Sequence, residues 1–158
     1  MLLSDVFDTR HIKLNLESET KDEAFEELTE VITTLHPELD RRAVLNSITA
    51  RENLMNTAVM PDVALPHGYY ENLKGIVGVI GVSHAGIAYE TEQVVHCIFM
   101  MLMGGAEHER HLRVLSGLLS LCNSRAFSEI TAAQSGQEVS DILRRFDQTY
   151  ATYARRTP

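Results

Sequence analysis

Histidine is the side chain through which this sequence could do chemistry. Seven are present, and three stand in settings that suit a reaction. His67 lies in Leu65-Pro66-His67-Gly68, directly after a short apolar run. Proline fixes the entry and glycine permits a tight exit, so an imidazole is held at a strand end, where α/β folds place their ligands. A turn histidine without a role fits the same position. His108 and His111 follow in Glu107-His108-Glu109-Arg110-His111, three apart near a helix start and therefore close to one face. The order H-E-x-H is one residue short of the zinc-protease motif, and no third metal ligand is visible. A helix N-terminus attracts anions through its free N–H groups and dipole, while two solvated histidines fit equally well. His96, inside an apolar run, reads as a partly buried core residue, and His11, His36 and His84 read as surface residues. Arg51 closes a helix, as a surface arginine or a fixed charge.

Other reaction types lack their residues. Neither phosphate-binding glycine loop, G-x-G-x-x-G or G-x-x-x-x-G-K-[ST], occurs, and there is no G-x-S-x-G elbow. What remains is imidazole, guanidinium and a helix end, the equipment for holding a phosphoryl group. No metal or organic cofactor is required by such a set.

The elements that must position these groups are legible from periodicity and punctuation. Thr20 and Glu23 have capping-box spacing and open a helix with Phe25, Leu28, Ile32 and Leu35 on one face. Pro37 ends it, and Asp40 starts a second helix with Val44, Leu45 and Ile48 inside. Val63-Ala64-Leu65 is a short apolar run, and Ile76–Val82 and Val94–Met103 read as buried strands. Gly104-Gly105 stops the last of these. A helix with Leu112, Leu115, Leu118, Leu119 and Cys122 on one side follows, and Ser135 and Glu138 cap a final helix carrying Val139, Ile142, Leu143 and Phe146. Helices interleaved with buried strands predict an α/β layered domain, with helices covering the sheet. The tail from residue 151 to 158 reads as frayed.

Composition bounds the partners. At 158 residues with 44% hydrophobic and 23% charged positions, the chain is one ordinary globular domain. Fourteen basic against 22 acidic residues give a net charge of −8, which excludes a general nucleic-acid binder. Cys97 and Cys122 form no disulfide framework, as in a reducing compartment. The longest apolar run falls far short of the ~20 residues of a membrane helix. The first residues, MLLSDVFDTR, lack the basic and apolar regions of a signal peptide. A cytoplasmic protein without direct membrane insertion is expected.

Four short motifs occur in order: Arg51-Glu52; Thr57; Val63-Ala64-Leu65-Pro66-His67-Gly68; and His111-Leu112-Arg113-Val114-Leu115-Ser116. Together with Ile12-Lys13-Leu14-Asn15-Leu16 and Ala132-Ala133-Gln134-Ser135, this series resembles the fructose/mannitol-type enzyme IIA domain of the bacterial phosphotransferase system, a group that includes nitrogen-regulatory IIA proteins. The chain departs from that pattern at one place. Where the family has I-G-N-G, it reads Val59-Met60-Pro61-Asp62.

The resemblance implies a mixed sheet sandwiched between helices and a IIA domain over residues 1–150. It implies that His67 is the phosphorylated histidine, that His111 is the second active-site histidine and that Arg51 lies beside them. The implied activity is that of a phosphocarrier, accepting a phosphoryl group from phosphorylated HPr and passing it to a IIB component. A nitrogen-branch regulator, whose phosphorylation state controls binding to regulatory targets, is the alternative. The net negative charge suggests an acidic rim that would steer HPr. The altered loop, residues 58–63, is expected to differ in geometry because its glycines are gone.

Overall fold

The two long apolar runs of the sequence become the paired centre of a five-stranded sheet. The computed structural model describes residues 2–154, with the side chains of residues 2–151. In chain order the elements are α1 (Leu3–Val6), a 3-10 turn (Thr9–His11), β1 (Ile12–Lys13), α2 (Lys21–Leu35), α3 (Arg41–Leu54), β2 (Asp62–Ala64), β3 (His67–Tyr69), β4 (Ile76–Glu90), β5 (Gln93–Met103), α4 (His108–Cys122), α5 (Arg125–Ala132) and α6 (Gly136–Ala154). The sheet runs β1-β4-β5-β2, with β3 also paired to β5. β4 and β5 are antiparallel and every other pair is parallel, so the sheet is mixed.

Both faces of β4 and β5 are covered, which is why their sequences are apolar without alternation. Phe99, Met101, Ile80 and Val82 pack with Leu3, Phe7, Leu118, Leu121 and Leu143 on one side. Ile98, Met100, Leu102 and Val79 pack with Phe25, Leu28, Ile32, Val44 and Ile48 on the other. The expected sheet between helices is therefore what forms.

The predicted caps at Thr20, Asp40 and Ser135 are made, each side chain accepting from the backbone N–H three residues on. Glu23 and Glu138 reach back one residue beyond the cap, to the N–H groups of Glu19 and Gln134.

Several readings need correction. Leu112 and Leu119 face outward, and α4 buries His111, Val114, Gly117, Leu118 and Leu121 instead. His11 is not a surface residue: it is 6% exposed and its Nε2 lies 3.1 Å from Nε2 of His36. α6 continues through Ala154, so residues 151–154 of the tail expected to fray are helical. Residues 155–158 lie outside the described residues.

Candidate active site

His67 is the first residue of β3 rather than part of a free turn, and two hydrogen bonds define it. Its Nδ1 lies 2.9 Å from the Leu65 carbonyl oxygen. A carbonyl can only accept, so Nδ1 carries the proton. Arg51 Nε donates to His67 Nε2 at 3.1 Å. An arginine can only donate, so Nε2 is the bare nitrogen. Both bonds select one tautomer of a neutral ring. Burial lowers the His67 pKa and the Arg51 charge lowers it further, against opposing contributions from the Leu65 bond and Glu52.

Gly68 explains how Arg51 comes so close. A Cβ at Gly68 would stand 2.3 Å from Ser47 Oγ and 2.9 Å from the Ser47 carbonyl carbon. Only glycine lets the backbone of α3 approach β3 this closely. Close approach of a helix, more than a tight turn exit, is thus the reason for the glycine. Arg51 is in the last turn of α3, and its Nη1 is tied to the Met55 carbonyl at 3.0 Å.

His111 comes from the opposite side, one turn into α4. Its ring centroid is 4.8 Å from that of His67. It is 4% exposed, and its Nε2 is buried with no hydrogen-bond partner. Burial first, and then the neighbouring His67, His108 and Arg51, push its pKa down to about 4. The ring is therefore neutral at pH 7. A buried polar nitrogen without a partner costs about 1–3 kcal/mol, so His111 is poised for a ligand atom. The expected trio His67, His111 and Arg51 does converge. His108 lines the same hollow but is exposed.

A second tier was not read from the sequence. Glu52, only 4% exposed, accepts from the Thr57 backbone N–H at 3.0 Å and from Thr57 Oγ1 at 2.7 Å. Because the Thr57 hydroxyl proton is given to Glu52, the Tyr89 hydroxyl must be the donor in its 2.9 Å bond to Thr57 Oγ1. Arg51-Glu52 and Thr57 stood in the motif, but only the fold shows that the acid turns inward while its neighbour faces the histidine.

The two hollows beside His67 are lined by apolar side chains with Arg51, Ser47, His108, Asn56 and Thr57, and by no carboxylate. Leu54, Met55, Val59 and Leu112 are all more than half exposed around them. The walls immediately around the histidine are thus apolar and carry no carboxylate.

In the altered loop Asp62 takes φ 71°, the left-handed region where the family pattern has glycine. Its carboxylate accepts from His96 Nδ1, which ties the strained residue to β5. Among the described residues no cluster of three or more His, Cys, Asp or Glu side chains could hold a metal ion. No described helix is long and apolar enough to cross a membrane.

Residues 5–146 match the family model for the phosphoenolpyruvate-dependent sugar phosphotransferase system, EIIA 2. The chain belongs to this EIIA family. Among its relatives is the fructose-specific EIIABC component of Bacillus subtilis, 26% identical over 151 residues, which cover 94% of the chain but 24% of that protein. The nitrogen regulatory protein of Bradyrhizobium diazoefficiens is 27% identical over 146 residues, covering 90% of the chain and 95% of that protein. The crystal structure of nitrogen regulatory protein IIA-Ntr from Neisseria meningitidis superposes with a TM-score of 0.81 at 26% identity, over 89% of this chain and 98% of that one. The EIIA chain thus spans about a quarter of the fructose component and nearly all of the two nitrogen regulatory proteins.

Proposed function

We propose that this EIIA domain, over residues 1–150, is a phosphohistidine carrier with His67 Nε2 as acceptor. The observation that carries the reading is the pairing of a bare, fixed Nε2 on His67 with a buried, unpartnered Nε2 on His111. Phosphoryl transfer asks for an in-line nucleophile and for donors and charge around the equatorial oxygens. Nε2 of His67 attacks the phosphorus of a phosphohistidine donor such as HPr. The bond from phosphorus to the donor nitrogen breaks, and its electron pair returns to the donor imidazole. A new phosphorus–nitrogen bond forms on Nε2, positive charge spreads to Nδ1–H, and the Leu65 carbonyl receives that hydrogen bond. Arg51 must release Nε2 as the bond forms, and its guanidinium passes to a phosphoryl oxygen. His111 Nε2–H donates to another. The apolar rim of Leu54, Met55, Val59 and Leu112 excludes water where a protein partner docks.

The acceptor in this reading is a IIB component, supported by the fructose-specific relative that carries A, B and C parts in one chain. The second reading is nitrogen-branch regulation, with phosphorylation of His67 setting affinity for a regulatory target. It is favoured by the end-to-end match to nitrogen regulatory proteins. Incubation with phosphoenolpyruvate, enzyme I and HPr or its nitrogen-branch counterpart should add one acid-labile phosphoryl mass, absent in His67→Ala. No adduct from either donor rejects the carrier. A pull-down from native cell extract then separates the roles, a IIB partner supporting transport and a regulator supporting control.

A further inference from the structure

The buried Glu52–Thr57 pair does not touch His67, yet a continuous path of hydrogen bonds joins them. Thr57 is held at two points by the Glu52 carboxylate, through its N–H and its hydroxyl. The Thr57 carbonyl accepts from the Leu65 N–H at 3.2 Å. The Leu65 carbonyl in turn accepts from His67 Nδ1. Thr57 is further fixed from outside by the Tyr89 hydroxyl on β4.

Fixing Thr57 therefore fixes the Leu65 peptide, whose carbonyl, together with Arg51 on the far side of the ring, sets which nitrogen of His67 is protonated. The loop between α3 and β2 departs from the family's glycine-rich form, but its two ends are pinned, at Thr57 by Glu52 and at Asp62 by His96. Resting on the assignment of His67 as phosphoryl acceptor, we propose that Glu52 is a positioning residue which, through Thr57 and the Leu65 peptide, locks His67 in the Nδ1–H tautomer that presents Nε2. A carboxylate that orients a histidine and fixes its tautomer has the same logic in serine proteases, though here a threonine and a peptide unit stand between.

Glu52 has a second consequence for the transfer step. The attack leaves positive charge on the His67 ring, and the groups that face this ring are Arg51 from α3, His111 from α4 and Glu52 behind the loop. Arg51 disfavours that charge, and Glu52 is the carboxylate that favours it; His111, neutral, leaves it unaffected.

Two variants divide geometry from charge. Thr57→Val removes the hydroxyl at nearly constant shape. Glu52→Gln keeps a side chain able to bond both Thr57 groups but removes the negative charge. The readout is the pair of ring ¹⁵N chemical shifts of His67 in protein labelled at histidine nitrogen, recorded across pH without any phosphodonor, together with the rate of phosphoryl acceptance.

Wild type should show a single Nδ1–H tautomer. Thr57→Val should populate the Nε2–H tautomer and slow acceptance roughly 10- to 100-fold, the range found when partners that orient metal-bound histidines are removed. Thr57→Ser should restore both. Glu52→Gln should keep the tautomer but lower the His67 pKa and slow acceptance. A Nε2–H tautomer in wild type overturns the proposal whatever the variants do, including a variant that does not fold. Unchanged tautomer and rate in folded Thr57→Val overturns it as well. Because the tautomer is read without a donor, a protein that shows the shift but is never phosphorylated would refute the carrier reading and leave the relay standing.

Discussion

Replacing His111 by alanine tests the arrangement of the two histidines. In the unphosphorylated protein its buried Nε2 has no partner, so the substitution removes no hydrogen bond from that state. In the phosphorylated protein, and in the transfer step, the same nitrogen is taken to donate to a charged phosphoryl oxygen. A hydrogen bond to a charged group is worth about 1.5–3 kcal/mol, and each 1.36 kcal/mol is a factor of ten in rate. Phosphoryl acceptance should therefore slow roughly 10- to 150-fold, measured by quenched-flow with radiolabelled phospho-HPr. With its pKa pushed down to about 4, His111 is neutral throughout the working range. The loss should accordingly be the same at pH 7 and at pH 8, whereas an imidazolium donor would make it shrink as pH rises. His111→Gln, which keeps an N–H donor, should recover part of the rate. A rate within twofold of wild type in folded His111→Ala, or a loss that vanishes by pH 8, would refute the reasoning.

Acid should destabilise the fold through its buried histidines. His11, His67 and His111 all have folded-state pKa values below the ordinary one, with burial the first cause in each. The unfolded chain binds protons first as pH falls through ~6.5, so stability is lost from there downward and levels off below about 4 for His111. Melting temperature should fall between pH 7 and pH 5, and an unchanged value would contradict the assignments. Gly68→Ala should cost about 1–3 kcal/mol by overpacking against Ser47, lowering the melting temperature by roughly 2–4 °C per kcal/mol. It should also slow phosphorylation, since α3 carries Arg51, and a thermal scan indistinguishable from wild type would count against the close approach. At Asp62, alanine should destabilise more than glycine: both variants lose the bond to His96, but only alanine places a Cβ on a left-handed backbone, a strain of about 1–3 kcal/mol. Equal urea midpoints for the two variants would argue that φ at this position is relaxed.

The convergence of the candidate trio was legible because each member sits in a short motif whose spacing survives: the arginine at a helix end, the histidine after proline, the second histidine in the first turns of a helix. Helix starts were legible for a similar reason, since Thr20, Asp40 and Ser135 act locally on the N–H three residues away. What depends on distant packing was not. Leu112 and Leu119 match helical spacing as well as Val114 and Leu118 do, and only the direction in which α4 meets α1 and the sheet decides which pair is covered. His11 looks like a surface residue in a polar stretch, yet the 3-10 turn presses it against His36 at the end of α2. Glu52 gave no sign that it would be buried, because its partner Thr57 is loop sequence and Tyr89 is 37 residues further on in the chain, on β4.

His67 offers Nε2, held bare by the Leu65 and Arg51 bonds. Phosphorylating histidine-¹⁵N-labelled protein and reading the ³¹P–¹⁵N coupling identifies the nitrogen that carries phosphorus. Coupling to Nε2 of His67 is the expected result. Coupling to Nδ1 of that ring, or to any nitrogen of His111, would contradict it.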